Sequence, residues 1–177
     1  MGQATVCYLP MSASALRAPV SLTLGRTTLR FTWQHDRWAH EILCPDGTVW
    51  RSLEGASAAG GDPRWPASPV LVELSRLEGP HGPALLGVGL AGRSHFSASI
   101  GPGPAGADQA RFECACRVLE PPGWLGSTYA GPAGVVRIVP VATDQPPATV
   151  QWGYALGPEG LRPLAGSRLD RPPPPGD

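Results

Sequence analysis

Three stretches of this chain carry side chains able to do chemistry. The first, Gln34-His35-Asp36-Arg37-Trp38-Ala39-His40-Glu41, puts two imidazoles and two carboxylates close together. Groups of this kind hold a metal ion or a polar ligand when they converge on one point. If residues 34–37 turn a hairpin, His35 and Asp36 stand on its tip. His40 and Glu41 then point to opposite faces of the next strand, because strand side chains alternate. The four do not share one ion in that geometry. His35, Asp36 and His40 remain candidates for ligand binding, with Trp38 and Trp50 as aromatic surfaces on paired strands. The plainer account is a solvated polar turn beside a tryptophan-containing core.

The second stretch is Arg93-Ser94-His95-Phe96-Ser97-Ala98-Ser99-Ile100. As a strand it places His95, Ser97 and Ser99 on one face and Phe96, Ala98 and Ile100 on the other. The polar face reads as the floor of a ligand groove, with Arg93 at its mouth, or as the wet side of a half-buried sheet. No Gly-x-Ser-x-Gly elbow accompanies these serines, so nothing here marks a nucleophile.

The third is Cys114-Ala115-Cys116. On a strand the two sulfurs share a face at about 7 Å between Cα atoms, too far for an unstrained disulfide. With His95 they form a candidate soft-metal set: His95, Cys114 and Cys116. They also alternate with Phe112 and Val118, which favours the reading of cysteine as a small buried hydrophobe. Gly87-Val88-Gly89-Leu90-Ala91-Gly92 spells the letters of a dinucleotide fingerprint. It lies on a strand leading into a hairpin, and without a helix N-terminus the motif has no mechanism.

The elements that position these groups show a period of two. Alternating runs cover 20–24, 28–33, 38–43, 48–53, 84–91, 94–100, 111–119, 134–141 and 149–156, separated by Gly/Pro clusters. Cys44-Pro45-Asp46-Gly47 is a turn with a mechanism, since Pro presets φ and Gly accepts positive φ. Gly92-Arg93 suits a tight hairpin. Residues 54–69 and 101–109 read as loops, the former anchored by Trp65. Residues 68–77 fit a short helix or a strand, with the strand preferred. The pattern predicts an all-β fold of about nine to ten short strands, an antiparallel β-sandwich or an up-and-down barrel. A single domain is expected over 1–165, with a disordered Pro-rich tail over 166–177.

Composition sets the remaining bounds. The 177-residue chain has 14 basic and 14 acidic residues, a formal net charge of zero and a pI near 6.9. No global field draws it to nucleic acid or to an anionic membrane. Every basic side chain except histidine is arginine, and lysine and asparagine are absent. That excludes Schiff-base and phosphate-loop lysine chemistry. It also points to the codon pressure of a GC-rich, bacterial genome. The first residues lack a basic region followed by an unbroken apolar run, so a cytoplasmic protein with reduced thiols is expected. No cofactor is implied. A non-catalytic binding or protein-interaction domain is the expected function, with a protein or small ligand as partner and a homo-oligomer admitted. A metal- or thiol-dependent enzyme built on the His/Cys set and a structural subunit of an assembly are the alternatives.

Overall fold

A computed structural model describes residues 17–55, 62–103 and 106–170. Thirteen strands run β1 (Val20–Leu24), β2 (Thr27–Gln34), β3 (Arg37–Leu43), β4 (Val49–Ser52), β5 (Glu73–Gly79), β6 (Gly82–Ala91), β7 (Ser94–Gly103), β8 (Gly106–Val118), β9 (Ser127–Gly131), β10 (Gly134–Pro140), β11 (Ala148–Gly157), β12 (Gly160–Pro163) and β13 (Ser167–Asp170). They form two antiparallel sheets packed together as a sandwich. The seven-stranded sheet has the order β1-β2-β3-β4-β9-β10-β13, and the six-stranded sheet β12-β11-β8-β7-β6-β5. The structure thus takes the sandwich of the two expected architectures, with thirteen strands in place of nine to ten. No helix among the described residues is long and apolar enough to cross a membrane.

The core lies between the two inner faces. β2 sends Leu29 and Phe31 inward, β3 sends Trp38, His40 and Ile42, and β8 sends Phe112, Cys114, Cys116 and Val118. All obey the alternation of their strands. Three hairpins turn on two-residue loops whose first residue has φ 56: Gly25, His35 and Gly92. His35 is the one non-glycine residue at positive φ among those described.

Several expectations change. Within the expected loop 101–109, residues 101–103 and 106–109 are strand: β7 extends to Gly103 and β8 starts at Gly106. Residues 68–77 form no helix; 68–72 are an extended crossing segment and β5 follows from Glu73. β13 falls within the stretch 166–177 expected as tail, and it pairs with β10 from Arg137↔Asp170 to Pro140↔Ser167. Residues 171–177 of the expected tail lie outside the described residues. β9, β12 and β13 carry too few alternating apolar side chains to be read as strands alone; the ladder on a neighbour makes them strands.

The crossing segment ties the sheets together. Ser68 Oγ accepts from Thr128 N at 3.1 Å, Trp38 N of the seven-stranded sheet donates to Leu71 O at 2.8 Å, and Val72 N donates to Val88 O of the six-stranded sheet at 2.7 Å. Its passage requires glycine on β6. A Cβ on Gly89 would stand 2.3 Å from Val70 O, and one on Gly87 would stand 2.9 Å from the Leu71 methyls. Gly87 and Gly89 therefore serve close backbone approach, the structural role that a glycine inside a strand usually marks.

Candidate functional site: an interior polar cluster and an outer groove

His40 sits in the core between the rings of Phe31 and Phe112, with centroid separations of 5.0 and 5.4 Å. Its Nε2 is 2.7 Å from Tyr129 Oη, which is 2.8 Å from Tyr154 Oη across the sandwich. His40 Nδ1 has no partner. The three groups form one hydrogen-bonded chain, whose direction follows the His40 tautomer. Beside Tyr154 is Ser127, whose Oγ accepts the Trp152 indole N–H at 2.9 Å. Burial lowers the His40 pKa to about 3 and raises both tyrosines, so all three groups are neutral.

Glu54 closes the rim of this cluster. The Ser52 hydroxyl donates to Glu54 Oε1 at 2.5 Å and accepts from His40 N at 2.9 Å. Glu54 Oε2 is buried without a partner. Burial lifts its pKa to about 7, opposed by the Ser52 hydrogen bond and the nearby Arg37 guanidinium. The set is a polar seam between the sheets, and a concavity of about 260 Å³ beside it is lined by His40 and Ser52 together with Arg30, Thr32, Glu41 and Arg51.

The remaining residues singled out in the sequence scatter. His35 and Asp36 stand on the exposed β2–β3 turn, and Asp36 pairs with its neighbour Arg37 at 2.8 Å. Trp38 and Trp50 are buried; Trp38 packs edge-on against Trp33 at 5.4 Å, and Trp50 lies over the site of Gly131, where a Cβ would meet its ring. They are not neighbours across one pair, since Trp50 faces Ile42. Arg93 is exposed on the β6–β7 turn. The proposed metal set does not converge: His95 faces outward while Cys114 and Cys116 face the core of the same sheet. No group of three or more His, Cys, Asp or Glu that could hold a metal occurs among the described residues. Burial pushes the Cys44 thiol to about 11 and those of Cys114 and Cys116 to about 12, so these thiols stay protonated.

His95 and Ser97 do belong to a concavity. A groove of about 490 Å³ crosses the outer face of the six-stranded sheet. Its apolar part comes from Val72, Val88 and Leu90, and its polar part from His95, Ser97, Arg117, Thr149 and Glu73. The strand register explains the grouping. Leu90 pairs with His95, His95 with Arg117, and Arg117 with Thr149, giving one row across four strands. Glu73, Val88, Ser97 and Ala115 form the adjacent row. Leu86, Val88 and Leu90 keep 40, 48 and 55% of their surface exposed, so three successive outward positions of β6 form an apolar ridge. The sequence reading missed this ridge, and Arg117 with it. The available signal was Gly87 and Gly89 alternating with Leu86, Val88 and Leu90, which is an outward apolar face once the glycines are inward.

No family model matches this chain, and no curated protein or solved structure matches it. The site's chemistry therefore has to be argued from its own residues.

Proposed function

We propose that the protein is a non-catalytic binding domain whose ligand site is the groove on the outer face of the six-stranded sheet. The observation that carries this reading is the β6 ridge of Leu86, Val88 and Leu90 beside a concavity of about 490 Å³. Small-molecule sites commonly occupy about 300–1,000 Å³, with apolar walls and a few convergent polar groups. Covering side chains that stand half exposed gains about 1 kcal/mol each, enough for several together to hold a ligand. The acid–base groups with perturbed pKa values, the buried His40 and the half-buried Glu54, lie away from this groove. Protonated, buried thiols also favour binding over thiol catalysis. A reducing cytoplasm suits the three free cysteines described.

The test is titration with the neutral fluorescent probe N-phenyl-1-naphthylamine, comparing the native chain with a Val88→Ser/Leu90→Ser double variant. Saturable one-site uptake that the double variant loses, with its melting curve unchanged, supports the reading. Absence of saturable uptake by the native chain, or equal uptake by both, overturns it.

A further inference from the structure

Resting on that binding site, we propose that its ligand is a free, singly charged anionic amphiphile, of the chemical class of a medium-chain carboxylate. Arg117 and His95 would take the head group, and the β6 ridge would take the tail.

The charge layout of the groove supports this. Arg117 is exposed and makes no ion pair among the described residues, unlike Arg111 on the same strand, which reaches Glu113 at 2.6 Å. Its direct cross-strand neighbours are His95 and Thr149, an imidazole and a hydroxyl, with no carboxylate in the row. Cross-strand side chains stand about 5 Å apart at Cβ, so a carboxylate held by Arg117 has His95 and Thr149 as its flanking neighbours. A guanidinium presents paired N–H donors that match a carboxylate. From Arg117 the row continues over His95 to Leu90, so polarity falls steadily toward β6.

The far end discriminates. Glu73 lies on β5, opposite Val88, three strands away from Arg117. At about 4.8 Å per strand this is roughly 14 Å, the span of a single extended chain. A negative side chain there disfavours a ligand carrying a second anionic end and leaves the methyl end of a monoacid undisturbed. A groove of this volume takes one chain, which identifies a monomeric ligand and not a bilayer surface.

The experiment displaces the bound neutral probe with chain-matched competitors below their aggregation thresholds: decanoate, decanol, decyltrimethylammonium and decanedioate. Decanoate is expected to displace at a concentration at least about tenfold lower than decanol, the factor that one charge-assisted hydrogen bond supplies. Decyltrimethylammonium and decanedioate should be weaker than decanoate. Arg117→Gln should remove the decanoate advantage without changing decanol, and Glu73→Gln should bring decanedioate up to decanoate. Equal displacement by decanoate and decanol, or an unchanged preference in Arg117→Gln, overturns the head-group assignment while the probe-binding site stands. Co-sedimentation with phosphatidylglycerol vesicles, without displacement by monomeric decanoate, overturns it in favour of a membrane surface. Failure of the probe itself to bind is a failure of the site, not of the ligand class.

Discussion

The β2–β3 and β6–β7 hairpins turn alike, yet β6 keeps three large side chains outside where β2 buries its own. Each turns on a two-residue loop whose first residue has φ 56, His35 in one and Gly92 in the other. Each alternates apolar with small or polar side chains. In β2 the large side chains Leu29 and Phe31 are buried completely. In β6 Leu86, Val88 and Leu90 point to solvent, while Leu85 is buried and Gly87 and Gly89 point inward. The difference is the crossing segment 68–72, which runs under β6 and occupies the space that side chains would fill. Apolar residues displaced outward in this way make a surface suited to a ligand. Alternation fixes that two faces differ, while the neighbours decide which of them is the core.

The largest expected effect is electrostatic and lies beneath the β2–β3 hairpin. His40 has a folded pKa near 3 against an ordinary 6.5, so its contribution to stability is present above pH 6.5 and is lost as pH falls toward 3. Glu54 has a folded pKa near 7 against 4.5, so its contribution is present below pH 4.5 and is lost as pH rises through 7. Between pH 4.5 and 6.5 the two slopes, each about 1.4 kcal/mol per pH unit, oppose and cancel. Urea unfolding should therefore give a flat stability profile across that window. Glu54→Gln should expose the rising His40 limb, about 5 kcal/mol between pH 3 and 6.5, and His40→Phe the falling Glu54 limb, about 3 kcal/mol between pH 4.5 and 7. A flat profile in both variants would remove the assignment.

Next in size is the contrast of the large side chains themselves. Phe31→Ala, in the inward-facing hairpin, should lower unfolding free energy by about 4 kcal/mol. Leu90→Ala, the matching large residue of the other hairpin, should change it by about 0.5 kcal/mol or less while weakening probe uptake. Gly89→Val should then cost about 3 kcal/mol, because its side chain must displace the Val70 carbonyl. If this variant is as stable as the native chain, segment 68–72 does not run where described.

The smallest effects belong to the turns. His35→Gly should stabilise by about 1 kcal/mol, since glycine accepts the positive φ that a Cβ resists. Gly92→Ala should destabilise by a similar amount, with the Arg64 side chain only 3.1 Å from the new Cβ. Thermal melts read both, and equal shifts of the same sign would break the equivalence of the two turns.

What the sequence carried by itself was periodic and local. Two-residue alternation marked β1 to β4, β6 to β8, β10 and β11, the Pro-Asp-Gly turn, and the burial of Cys114 and Cys116 with Phe112 and Val118. These follow from the backbone pleat and from apolar surface leaving water, which act within a few residues. Tertiary structure decided the rest. It made β9, β12 and β13 into strands, brought His40 to Tyr129 and Tyr154, and set the half-buried Glu54 at the cluster's rim. It also placed Arg117 beside His95 and turned the β6 ridge outward. Each of these depends on which chain segment lies alongside, a choice made between residues distant in sequence. A local pattern can say that a strand has an oily side; only the packed neighbours say whether that side meets the core or a ligand.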